Sequence, residues 1–87
     1  MNNDTKERAY KFLADPFRKF PKLTNRERQV ADLAVQGLTM KEIGTVLGIS
    51  TSGAESYFRS IKMKTGMVKP ELAPWVINET RKILEES

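Results

Sequence analysis

Two four-residue phrases fifteen positions apart, Thr24-Asn25-Arg26-Glu27 and Thr39-Met40-Lys41-Glu42, constrain this chain more than anything else in it. In each, the Thr hydroxyl is placed to accept the backbone N–H three residues on, while the Glu reaches back to the Thr N–H. Two otherwise unpaired helix-start donors are thereby satisfied at each phrase, so both are capping boxes. Val30, Leu33 and Ala34 follow the first at i, i+3, i+4, one apolar helical face, and Gly37 offers a left-handed stop. Ile43, Val46 and Leu47 repeat the spacing behind the second, and Gly48 stops that helix. Ile49 is then placed to plug the space between the helices, and Ser50 is an N-cap for a third. Two short helices joined by so tight a turn predict a helix-turn-helix, whose commonest use is to set its last helix in the major groove of DNA.

The third helix is predicted from about Thr51 to Lys64. Ala54, Phe58 and Ile61 fall at i, i+4, i+7 and turn inward. Ser52, Glu55, Ser56, Arg59, Ser60 and Met63 then turn outward, with Lys62 and Lys64 at the edges. Small polar side chains near the start of a helix permit close approach to base edges, and Arg59 has the length to reach guanine or a phosphate. An isolated helix with such a face would simply be solvated. Within a helix-turn-helix, the same face is a reading surface.

The residues Leu23-Thr24-x-Arg26-Glu27, Val30, Leu33, Gly37-Leu38-Thr39-x-Lys41-Glu42-Ile43, Leu47-x-Ile49-Ser50 and Ile61-x-x-Lys64-x-Gly66 resemble the LuxR/FixJ/GerE-type DNA-binding domain of bacterial transcription regulators. Region 4 of sigma factors shares Leu-Thr-x-Arg-Glu-Arg and Gly-Leu-Thr, but has one more residue than the interval from Val30 to Gly37. That interval and Lys41 favour the LuxR type. The resemblance implies an all-α, tetrahelical fold that binds double-stranded DNA, here with an extra N-terminal helical segment. The DNA-contacting residues expected from it are Lys41, Ser50, Thr51, Ser52, Glu55, Ser56, Arg59, Ser60, Lys62, Met63 and Lys64.

The chain also departs from the family pattern. Gly53-Ala54-Glu55 stands where Thr-Val-Lys or Thr-Val-Glu is usual, and Tyr57 where a His is usual. Loss of the Thr hydroxyl removes a phosphate contact, and Gly53 costs about 0.5–1 kcal/mol of helix stability relative to Ala. Glu55 repels phosphates yet can accept from cytosine N4, which makes it a selector rather than an anchor.

Two domains are expected, residues 1–22 as a helical extension packed on the core and residues 23–87 as the helix-turn-helix with a dimerisation helix. Asp4-Thr5-Lys6-Glu7 is a further capping pattern, followed by Ala9, Tyr10, Phe12 and Leu13 along a short helix. Asp15-Pro16 reads as an N-cap with Pro at N1, opening a turn through Phe17 and Phe20 that Pro21 ends. These aromatics pack on the core as a lid. In the alternative, Arg18, Lys19 and Lys22 form a phosphate-contacting arm.

Because Pro74 lacks an N–H, the last helix is predicted to begin between about Glu71 and Pro74, and to end near Glu85. Leu72, Trp75, Val76, Glu79, Thr80, Ile83 and Leu84 form a stripe with apolar ends and a polar middle. By resemblance this helix supports homodimerisation, through Leu72, Trp75, Val76, Ile77, Thr80, Ile83 and Leu84. Trp75 and Val76 serve equally well as a cap on the core, whereas Ile77 and Leu84 lie off or at the edge of the stripe and suit a partner. Pro70 and Pro74 differ from the family's Asn-Arg-x-Glu-Leu lead-in.

Composition enters as exclusion. The 87 residues contain no Cys and no His, so there is no thiolate site, no usual general base and no commonest metal ligand. No enzyme activity, cofactor or metal is expected. The net charge of +4 suits a polyanion. It is carried by residues 1–22 (six basic, three acidic) and 23–68 (six basic, four acidic), while 69–87 (three basic, four acidic) are net negative. No apolar run approaches the roughly 20 residues of a membrane span, and the start is no signal peptide, so a cytoplasmic place is the default. Since 87 residues leave no room for a receiver or ligand-sensing domain, the expectation is a stand-alone transcription regulator. The alternative is a protein-interaction module that uses the same fold to bind RNA polymerase or another regulator with little DNA contact. Arg26, Lys41, Arg59, Lys62 and Lys64 favour the first; Glu55, the missing Thr and the acidic last helix favour the second.

Overall fold

The computed structural model describes residues 15–86. They form a short 3-10 turn, Pro16–Lys19, and four helices: α1 (Asn25–Val35), α2 (Met40–Leu47), α3 (Thr51–Thr65) and α4 (Lys69–Glu86). The helix expected around Ala9 to Leu13 lies outside the described residues. The fold is all-α, a tetrahelical helix-turn-helix.

Both capping boxes form. Thr24 Oγ1 accepts the Glu27 N–H at 3.1 Å and Glu27 Oε1 accepts the Thr24 N–H at 2.7 Å; at Thr39 and Glu42 the distances are 3.2 and 2.9 Å. α2 ends on Gly48 at φ 69°. The turn that follows is tight because the Gly48 and Ile49 N–H groups both bond the Gly44 carbonyl. This draws the chain over Gly44, where a Cβ would lie 2.7 Å from the Ile49 carbonyl oxygen. Only glycine permits that approach. Ser50 Oγ accepts the Gly53 N–H at 2.9 Å and starts α3.

The core gathers Phe17, Leu23, Val30, Ala31, Ala34, Ile43, Ala54, Ile61 and Leu72. Val46, expected on the buried stripe, is 59% exposed. The face that packs is Met40, Ile43, Gly44 and Leu47, and Val46 sits about 100° round the helix from Leu47.

α4 begins at Lys69, earlier than Pro74 would suggest. The Glu71 carboxylate bonds the Val68 N–H at 3.0 Å and the Glu71 N–H bonds the Val68 carbonyl at 2.9 Å, which closes a first turn upstream of the proline. Pro74 therefore lies within the helix, on its exposed side, so the Pro70 carbonyl that loses its i+4 donor faces water.

The 3-10 turn carries Phe17 and Phe20, two of the aromatics expected to pack as a lid; Tyr10 and Phe12 lie outside the described residues. Asp15 caps it by accepting the Phe17 N–H at 3.1 Å, and Pro16 opens it. Phe17 is buried and Phe20 half-buried, with ring centroids 5.7 and 5.4 Å from that of Trp75. Lys19 pairs with Glu79 of α4, and Asp15 with Arg28 of α1. The segment thus straps α4 to the rest.

Candidate nucleic-acid interface

The open side of α3 is polar from Thr51 to Lys62 and ends on an exposed methionine, Met63. Ser52, Glu55, Arg59 and Met63 fall at i, i+3, i+7 and i+11, a single stripe, and all four are exposed, as are Thr51, Ser56 and Lys62. Met63, at the C-terminal end of the stripe beside Arg59 and Lys62, is 88% exposed. Lys41 stands exposed on the first turn of α2. The Ser50 hydroxyl, also in the expected set, is occupied as the α3 cap.

Ser60 and Lys64 are placed differently from the rest. They occupy the α3 edge that faces α1, where both donate to the Glu27 carboxylate: Ser60 Oγ to Oε2, and Lys64 Nζ to Oε1 at 2.7 Å. Lys64 Nζ also donates to the Lys22 carbonyl at 3.0 Å. Both side chains thus have partners within the chain, although Lys64 is exposed and its ammonium, with three donors, has two engaged.

Glu27 is 3% exposed and accepts from Thr24, Ser60 and Lys64 together. Burial pushes its carboxyl upward, but the hydrogen bonds from Lys64, Ser60 and Thr24 outweigh it and hold the pKa at about 2, against an ordinary 4.5. The capping pattern identified the Thr24 contact and nothing more. The signal for burial was present, since Glu27, Val30, Ala31 and Ala34 run i, i+3, i+4, i+7 and so share one face. Glu79, the polar middle of the α4 stripe, is likewise buried. The hydrogen bond from Lys19 holds its carboxyl below the usual range against burial, with the Lys19 and Lys82 charges adding to it.

On α4, Leu72 is fully buried and is removed from the expected partner-facing set, because its side chain completes the core of the single chain. Trp75 is half-buried and packs against Phe17 and Phe20 within the chain. Val76, Ile77, Thr80, Arg81, Leu84 and Glu85 line a shallow apolar groove, with Ile77 57% exposed; Ile83 is half-buried beside it. No described helix is long and apolar enough to cross a membrane.

Residues 21–68, more than half of the chain, match the model of the family described as "Bacterial regulatory proteins, luxR family". The chain belongs to that family. Its matched span runs from the turn before α1 through α3 and leaves out both the 3-10 strap and α4. Among curated relatives, the probable transcriptional regulator ycf29 of Pyropia yezoensis is 46% identical over 46 residues, covering 53% of this chain and 21% of that protein. The chain thus spans about a fifth of that relative's length. No solved structure gives a significant match.

Proposed function

We propose that this luxR-family chain is a sequence-specific DNA-binding transcription regulator that sets α3 in the major groove and pairs as a homodimer through the outer side of α4. The observation that carries the reading is the unbroken exposed stripe Ser52–Glu55–Arg59–Met63 on a helix held by a satisfied helix-turn-helix. Ser52 and Ser56 allow close approach at the N-terminal half of α3, Arg59 offers two parallel donors to guanine, and Met63 offers an apolar surface. Lys41 and Lys62 supply positive charge for phosphates. Glu55 favours a site that presents a cytosine amino group and disfavours random DNA. Ile77 and Leu84, with Val76, Thr80 and Ile83 beside them, supply the apolar part of the dimer contact, and a two-fold dimer reads an inverted repeat with half-sites about one helical turn apart. The luxR-family match and the relative named a probable transcriptional regulator support the reading.

The test is fluorescence anisotropy on DNA selected by this chain from a random pool, over a salt series. Affinity is expected to fall by about 0.9 log units per log unit of salt for each phosphate neutralised. Arg59→Ala is expected to cost about 1–3 kcal/mol on that DNA. Salt-independent association, or an Arg59→Ala variant that binds like the parent, contradicts the reading.

A further inference from the structure

We infer that Glu27 is a positioning residue for the DNA-reading helix and that Lys64 is its tie rather than a phosphate ligand; the inference rests on the reading of α3 given above. Glu27 belongs to α1, but two of its bonds go to α3, from Ser60 and Lys64 one turn apart. One carboxylate therefore closes the N-terminal cap of α1 and holds the C-terminal half of α3 at two points. The Lys64 bond to the Lys22 carbonyl extends the tie to the residue just before the α1 lead-in. All side-chain polar atoms buried among the described residues find partners, so this junction is satisfied as it stands, and a rotation of α3 that parted Ser60 from Glu27 would leave Oε2 of a buried carboxylate without that partner.

Two consequences follow for recognition. Ser60 and Lys64 lie on the edge of α3 next to the Ser52–Arg59–Met63 stripe, so the angle at which Arg59 and Met63 are presented is set by the bonds to Glu27. Selectivity for a base needs that angle to be held closely, whereas attraction to phosphates does not. Further, the Lys64 ammonium is neutralised by Glu27, so it adds little to the count of phosphates met by the protein, in contrast to Lys62, two residues back and on another side of α3.

Four variants of the 87-residue chain, Glu27→Gln, Lys64→Gln, Lys64→Arg and the double Glu27→Gln/Lys64→Gln, are compared with the parent on the selected DNA and on random DNA over a salt series. All are measured well below their melting temperatures. Gln at position 27 keeps the size of the side chain and an acceptor for the Thr24 N–H. The expected result is a roughly tenfold loss in the ratio of selected to random affinity for each single Gln variant, and no further loss in the double variant. The salt slope of Lys64→Gln is expected to match that of the parent, and Lys64→Arg is expected to recover part of the ratio. In solution, amide residual dipolar couplings of Glu27→Gln are expected to shift for α3 relative to α1. A slope reduced by about 0.9 in Lys64→Gln would make Lys64 a phosphate ligand and overturn the inference. So would an unchanged affinity ratio in Glu27→Gln. A parent chain with no salt-dependent binding would instead remove the reading on which the inference rests.

Discussion

The two buried carboxylates, Glu27 and Glu79, organise two junctions of this small protein in different ways. Glu27 joins α1 to α3 and is enclosed: its partners are a backbone N–H, a hydroxyl and the ammonium of Lys64, whose side chain is 31% exposed. Glu79 joins α4 to the strap, and its partners Lys19 and Lys82 have side chains 56% and 64% exposed. The first junction lies inside the span shared with the luxR family, while the second is made of segments on either side of it. Enclosure favours a single geometry, which suits a helix whose angle matters. At the strap, apolar area from Phe17, Phe20 and Trp75 provides the hold, and its charges are open to solvent screening.

The contrast is broken most forcefully at Trp75. Trp75→Ala removes the surface on which both Phe rings rest and is expected to cost about 3 kcal/mol in urea unfolding, the low end for such a change because the indole is half-buried. Amide shifts within α1, α2 and α3 are expected to stay near their parent values away from the Trp75 site. A loss under about 0.5 kcal/mol, the range of ordinary surface changes, would mean that the strap holds nothing.

A smaller effect sharpens the same contrast through pH. The Glu27 pKa of about 2 lies below its ordinary 4.5, so between those values the unfolded chain binds more protons than the folded one. Stability is fully present above about 4.5 and is lost as pH falls toward 2, by on the order of 2 kcal/mol at about 1.4 kcal/mol per pKa unit with allowance for screening. Urea midpoints measured across that window in low and in 1 M salt are expected to show a loss of which part persists in 1 M salt, and that persistent part is expected to vanish in Glu27→Gln. The Glu79 contribution has the same sign, since its carboxyl is also held low, but it is expected to fade in 1 M salt. An acid-induced loss that disappears wholly in salt would put Glu27 in the same exposed class as Glu79.

Much of this arrangement was legible in the sequence where the determinants are local. Each capping box is complete within four residues, and the Gly48 and Ser50 signals lie beside the helices they end and begin. The strap turn followed from Asp15-Pro16 for the same reason. The roles of Glu27, Ser60 and Lys64 were hidden because the bonds span 33 and 37 residues, and only packing of α1 on α3 brings them together. Val46 was expected inside and lies outside because spacing alone does not say which edge of an apolar stripe meets a neighbour. Pro74 misplaced the start of α4 because a proline's missing donor is tolerated on a solvated side, a property of the fold rather than of the residue. Leu72 was assigned to a partner for want of knowing how deep α4 sits.

The central claim, that the outer stripe of α3 is the DNA-reading surface, is tested most directly by titrating the 15N-labelled chain with the selected DNA duplex and following every amide. The account predicts that the largest shifts fall on Ser52, Glu55, Ser56, Arg59, Lys62 and Met63, with smaller ones at Lys41. Shifts concentrated on Ile77, Leu84 and their neighbours in α4, with the α3 stripe unmoved, would contradict it.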